Sequence, residues 1–109
     1  MRIWDIPPDK LCRQHLLGEH HELHALWSII INNKKGFAHH PETMRWRGKL
    51  RALYFRHEAL VEEMIKRGYK HRTPLDPAFA TGKAFQDEFL SSYEEQARIL
   101  KERGCDCRT

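Results

Sequence analysis

No run of apolar residues in the chain approaches the roughly 20 that a membrane-spanning helix needs, and the first ten residues, MRIWDIPPDK, lack the apolar stretch of a signal peptide. The expectation is a soluble, cytoplasmic protein with no membrane partner. Cysteine is scarce as well: of the three present, Cys105 and Cys107 stand too close in sequence to staple anything useful. A disulfide scaffold is excluded, and reduced thiols are expected. There is no internal repeat, no low-complexity tract and no stretch that alternates apolar and polar residues as a strand does. What remains is 109 residues, 40% hydrophobic and 31% charged, the make-up of one compact domain over residues 1–109.

The net charge of +4 is a weak pointer to a polyanionic partner, but its distribution says more. Residues 1–33 carry three basic and four acidic groups, residues 34–72 eleven and four, and residues 73–109 five and seven. All the excess lies in the middle third.

Breaker residues cluster at Pro7-Pro8, from Asn32 to Pro41 and from Gly68 to Gly82, which leaves room for three helical segments. The first begins between Pro8 and Leu11 and runs to about Ile31, with Cys12, Leu16, Leu23, Leu26, Trp27 and Ile30 on its core face. The second spans about Glu42 to Arg67, with Trp46, Leu50, Leu53, His57, Leu60 and Met64 at steps of four and three and Gly68 as a left-handed terminator. The third spans about Lys83 to Arg103 through Phe85, Phe89, Ala97 and Leu100, closed by Gly104. The fold class that follows is all-α, a compact single domain of three main helices.

Ile3, Trp4 and Ile6 put large apolar groups where chains usually fray, so they are expected to anchor the N-terminus. An anchored α-amine, with a pKa of about 7.7–8.0, is partly neutral at pH 7 and can attack a sugar carbon to form a Schiff base. On the first helix His15 and Glu22 lie seven residues apart, within about 20° of one face, with Gly18 between them. A glycine inside a helix costs about 0.8–1.0 kcal/mol relative to alanine, which hints at a close approach to the backbone. A carboxylate, a histidine and a gap make a candidate site; the plainer reading is a solvated polar face.

His20 and His24, at i and i+4, share a face able to hold a metal ion, but Ala25 stands where a zinc protease needs its second histidine. Cys105-Asp-Cys107 is an equally weak metal signal, and its thiols are expected free in a frayed segment. No metal and no cofactor are called for. The second helix carries Arg45, Arg47, Lys49, Arg51 and Arg56 before Glu58, Glu62 and Glu63, an order that opposes the helix dipole. That order suits a basic half facing phosphates, extended by Lys34, Lys35, His39 and His40, with Tyr54 or Phe55 available for stacking.

Taken together, Arg2-Ile3, QHLLGEHHEL from Gln14 to Leu23, KLRALYFRHEALVEEMIKRGY from Lys49 to Tyr69, and Gln96 to Arg98 resemble the pyrimidine dimer DNA glycosylases of the phage endonuclease V type. The resemblance implies an all-α enzyme of DNA repair, a monomer acting on double-stranded DNA that holds damaged pyrimidines or abasic sites. It implies that the α-amine of the first residue, here Met1, attacks C1′ and forms an imine, and that Glu22 is the catalytic carboxylate of glycosylase and abasic-site lyase steps. Arg2 and His15 match positions near the lesion; His21, just before the carboxylate, is expected among the DNA-binding residues, and Lys34, Lys35, Arg45, Arg47, Lys49 and Arg51 supply the basic surface. The chain departs from the phage members in having His21 before the carboxylate, Ala25 three residues after it, and no aromatic beyond Tyr93. The rival readings are a non-catalytic helical DNA-binding module and a histidine-based metalloprotein.

Overall fold

The computed structural model describes residues 2–70, 73–105, 107 and 108. They form four α-helices: α1 (Arg13–Ile31), α2 (Pro41–Trp46), α3 (Leu50–Lys66) and α4 (Tyr93–Glu102). Single 3₁₀ turns lie at Pro8–Lys10 and Pro77–Phe79, and no strand forms among the described residues. No helix is long and apolar enough to cross a membrane.

The expected stripes on α1 and α3 make the core. Leu16, Leu23, Leu26 and Trp27 of α1 pack with Leu53, Leu60 and Met64 of α3, joined by Trp46, Leu75 and Leu100. Cys12 and Ile30 sit at the half-buried edge of that stripe. The N-terminal segment is part of the same core: Ile3 is 1% exposed, and Trp4 and Ile6 are buried beside it. Its backbone is held by side chains at several points. Arg45 Nη2 donates to the Ile3 carbonyl at 2.8 Å, the Trp4 N–H donates to Glu19 at 3.2 Å, and the Asp5 N–H donates to Gln96 Oε1 at 2.8 Å. Arg67 donates to the Leu11 carbonyl at 2.6 Å. Arginines, a glutamate and a glutamine thus take the place that a strand partner would fill for an extended segment.

α3 ends as its glycine foretells. Gly68 is left-handed, its N–H donates to the Ile65 carbonyl at 3.0 Å, and the Tyr69 N–H reaches the Met64 carbonyl at 2.9 Å, the paired bonds of a Schellman closure.

Two element boundaries differ from the sequence expectation. The predicted helix from Glu42 to Arg67 is two helices, broken at Gly48, whose φ of 75° no continuous helix accepts. The break is stabilised from afar: the segment around Gly82 crosses it, with Arg51 N–H donating to the Thr81 carbonyl at 2.8 Å and Ala52 N–H to the Lys83 carbonyl at 3.1 Å. Two N–H groups left open at the start of α3 are satisfied by that crossing. Gly82, at φ 81°, lies so close that a Cβ would strike the Gly48 carbonyl.

The predicted third helix begins ten residues later than expected, at Tyr93, where the Ser92 hydroxyl accepts from the Glu95 N–H at 3.1 Å. Phe85 and Phe89, expected on its core face, are 63% and 59% exposed. The stretch before α4 stays irregular because its polar groups serve buried cations: Gln86 Oε1 accepts from Lys49 at 2.7 Å, and the Glu88 carbonyl accepts from Arg45 at 3.0 Å.

Candidate active site

One face of α1 carries Gln14, His15, Gly18, Glu19 and Glu22, and these line a cleft of about 310 Å³ together with Arg2 and Trp4 from the N-terminal segment and Arg103 from the end of α4. The spacing that relates His15, Gly18 and Glu22 therefore does bring them to one site. Gly18 matters there as open space: a Cβ built on it meets no protein atom within 4 Å, so the cleft reaches the helix backbone at that point.

The floor is Glu19, 2% exposed. Its carboxylate accepts from Arg56 Nε at 2.6 Å and Nη2 at 2.9 Å, and from the Trp4 N–H. Burial pushes the Glu19 carboxyl upward, against the opposing pull of the Arg56 guanidinium. Trp4 is the wall, with the guanidinium of Arg2 5.0 Å from its ring, that of Arg103 at 5.4 Å and His15 edge-on at 5.9 Å. His15 is held below its usual pKa by burial and then by the Arg103 charge, both of which favour the neutral ring. Glu22 is half-buried in the cleft and forms no ion pair among the described residues. A half-buried carboxylate in a cleft it shares with two arginines is chemically able to handle a cationic or protonated group.

Of the other expected site residues, Met1 lies outside the described residues. His21 is exposed on α1, away from the cleft lining. Lys34, Lys35, His39 and Arg47 come together at the far end of α1, lining a broad concavity of about 560 Å³. Arg51 is exposed beside the Ala80 carbonyl.

Arg45 and Lys49 differ from the sequence reading, which put them on the phosphate-facing surface. Arg45 is 3% exposed and spends its guanidinium on Glu42 at 2.7 Å, Asp5 at 3.2 Å and two backbone carbonyls. Lys49 is 4% exposed and pairs with Asp87 at 2.7 Å. Both hold the fold together from within, and a surface for phosphates must be drawn without them.

Three features escaped sequence reasoning. Glu19 and Arg103 were not singled out; Glu19 lies within the Gln14 to Leu23 run, whereas no local signal marks Arg103. Buried His57 joins half-buried His20 and His24 as a cluster, with the Nε2 atoms of His24 and His57 3.1 Å apart. The cysteines also depart from expectation. Cys105 and Cys107 have free thiols, as expected, but are half-buried against the start of α1 rather than exposed in a frayed segment.

Fold and cleft define an all-helical protein with a charged, ligand-sized site and a separate basic concavity. The chain belongs to the pyrimidine dimer DNA glycosylase family, whose model matches residues 1–77. Its general class is accordingly that of a DNA repair glycosylase, an enzyme whose substrate is DNA carrying damaged pyrimidines. The matched stretch includes every cleft-lining residue except Arg103, and stops short of α4 and the two late cysteines. Among curated proteins and among solved structures, nothing matches.

Proposed function

We propose that the protein excises damaged pyrimidines and cleaves the resulting abasic site through an imine formed by the α-amine of Met1. The observation that carries this reading is the meeting of Arg2, the residue bonded to Met1, with Glu22 in one cleft, at the end of a backbone segment pinned by Arg45, Glu19 and Gln96. Such pinning lowers the entropy lost when a terminal group is brought to a reacting carbon.

In the proposed reaction the neutral amine attacks C1′ of a nucleotide displaced from the stack, the C1′–N bond to the base breaks, and the base leaves with a proton. Ring opening at C1′ then gives a protonated imine on the deoxyribose. Glu22 stabilises that cation and moves protons between the sugar oxygen and C2′; loss of the C2′ proton expels the 3′ phosphate by β-elimination. Arg2 and His15 steady the flanking phosphate and sugar. Water finally hydrolyses the imine and restores the amine.

The surrounding duplex is proposed to reach the concavity of Lys34, Lys35 and Arg47. From Glu22 to Ile31, α1 rises about 14 Å, the length of about four nucleotides at 3.4 Å each. Arg51 and His21 would add contacts on either side. A monomer in the cytoplasm, bound to the nucleoid through its DNA, fits this reading.

The test is Glu22→Gln on duplexes holding a single abasic site. Strand cleavage is expected to fall by about 10²–10⁴-fold, the range of a positioned acid or base, with DNA affinity unchanged. Cleavage at the parent rate would remove Glu22 from the chemistry.

A further inference from the structure

Away from the cleft's carboxylates, four side chains of metal-ligating chemistry converge where α1 begins. Cys12 is the residue that precedes the first turn of α1, and His15, three residues on, faces the same way. Cys105 and Cys107 arrive from beyond α4, after the left-handed turn at Gly104. The Sγ atoms of Cys12, Cys105 and Cys107 and a ring nitrogen of His15 all lie within 4.8 Å of one another. His15 Nδ1 is 3.1 Å from Cys12 Sγ and 3.4 Å from Cys107 Sγ.

We infer that these four residues bind one zinc ion as a structural Cys₃His site. Zinc bonded to sulfur at about 2.3 Å and to imidazole nitrogen at about 2.0–2.1 Å in a tetrahedron sets its ligands about 3.6–3.8 Å apart. The observed spacing needs shifts of only a few tenths of an ångström for the pairs at 3.1 and 3.4 Å. Three thiols and an imidazole are soft and borderline donors, a set that selects zinc over magnesium, calcium or manganese.

The surroundings suit the ion. The Cys12 N–H donates to Cys107 Sγ at 3.0 Å, the kind of outer-shell bond that steadies a thiolate ligand. The Arg108 N–H donates to the Lys10 carbonyl at 2.7 Å, tying the late segment alongside the start of α1. A concavity lined by Cys12, Gln14, Gly104 and Cys105 gives an ion a way in.

The ion would join the first turn of α1 to the segment after α4, which are otherwise linked by few bonds. It would also act on the cleft. Ligation through Nδ1 places the imidazole proton on Nε2, which now lies 3.3 Å from Arg103 Nη1 and accepts from it. His15 would then present a donor to the cleft. This last consequence rests on the glycosylase reading; the zinc site itself does not.

The experiment is elemental analysis of the full chain, purified in reducing buffer from zinc-supplemented cultures and dialysed against metal-free buffer. One zinc per chain is expected, together with an intense tetrahedral thiolate spectrum when cobalt replaces it. Cys107→Ser and Cys105→Ser are expected to weaken zinc binding, measured by competition with a chromophoric chelator, by at least about tenfold. Each is checked for folding by circular dichroism. His20→Ala/His24→Ala is expected to keep the zinc, separating this site from the histidine cluster. Three outcomes overturn the inference: no retained zinc and no cobalt spectrum in the parent chain, zinc content indifferent to both cysteine variants, or a Cys12–Cys107 disulfide in the reduced preparation. Loss of zinc with DNA cleavage intact, or the reverse, distinguishes failure here from failure of the glycosylase reading.

Discussion

Replacing Arg45 separates an interior role from a DNA-contacting one. Its guanidinium bonds Glu42, Asp5, the Ile3 carbonyl and the Glu88 carbonyl, while the Glu42 carboxylate is itself 1% exposed and, among the described residues, keeps the Trp46 indole N–H at 2.8 Å as its one side-chain donor once the arginine is gone. Removing one partner of a buried pair costs about 3–5 kcal/mol, because the other charge is left desolvated and uncompensated. A domain of this size has about 5–15 kcal/mol in total. Arg45→Ala is therefore expected to lower the melting temperature by at least about 12 °C, taking 3 kcal/mol at 4 °C per kcal/mol. In urea, with a slope of about 2 kcal/mol/M, the midpoint would move by about 1.5 M or more. The double change Arg45→Met/Glu42→Met, which removes both charges, is expected to recover much of the loss. An Arg45→Ala protein with an unmoved urea midpoint and reduced DNA affinity would refute the interior assignment and return Arg45 to the phosphate-binding surface.

The exposed basic residues should behave in the opposite way. Lys34→Ala and Lys35→Ala, both at exposed positions, are expected to leave the unfolding free energy within about 0.5 kcal/mol of the parent. Each should make the log–log salt slope of DNA binding shallower by about 0.9; an unchanged slope in both would detach the concavity from DNA. Gly18→Ala is expected to raise stability by about 0.8–1.0 kcal/mol, since helical alanine is preferred and the added methyl meets no protein atom. The same methyl projects into the cleft, so strand cleavage should fall; a variant both more stable and fully active would show that the reacting nucleotide does not approach Gly18.

The long-period patterns were readable in the chain because α1 and α3 bury one stripe each, and a stripe is a local property. Gly68 was readable for the same reason: a glycine after the last apolar step closes a helix by bonds to its own preceding turn. Partners distant in sequence were not readable. Gly48 breaks a segment whose apolar spacing runs straight through it, and the break holds because residues around Gly82 fill the opened bonds. Ser92 and Glu95 signal the start of α4, yet the Phe85 and Phe89 spacing pointed further upstream, where the chain is instead bent to serve Arg45 and Lys49. Those two cations looked like part of a basic surface because composition records charge without recording depth. In the cleft, His15, Gly18 and Glu22 were legible from the helical period alone, whereas Arg103 reaches it across 88 residues from His15 and left no trace in any local pattern. Cys12 and Cys107 met the same obstacle.

The central claim is an imine between the amine of Met1 and the sugar, and borohydride trapping on abasic-site duplexes tests it most directly. Reduction should freeze a covalent protein–DNA adduct with the native terminus, mapped by mass spectrometry to Met1, and none with an uncleaved extension ahead of it. An adduct that forms equally well with the extended chain, or no adduct while DNA binding is intact, would contradict the account.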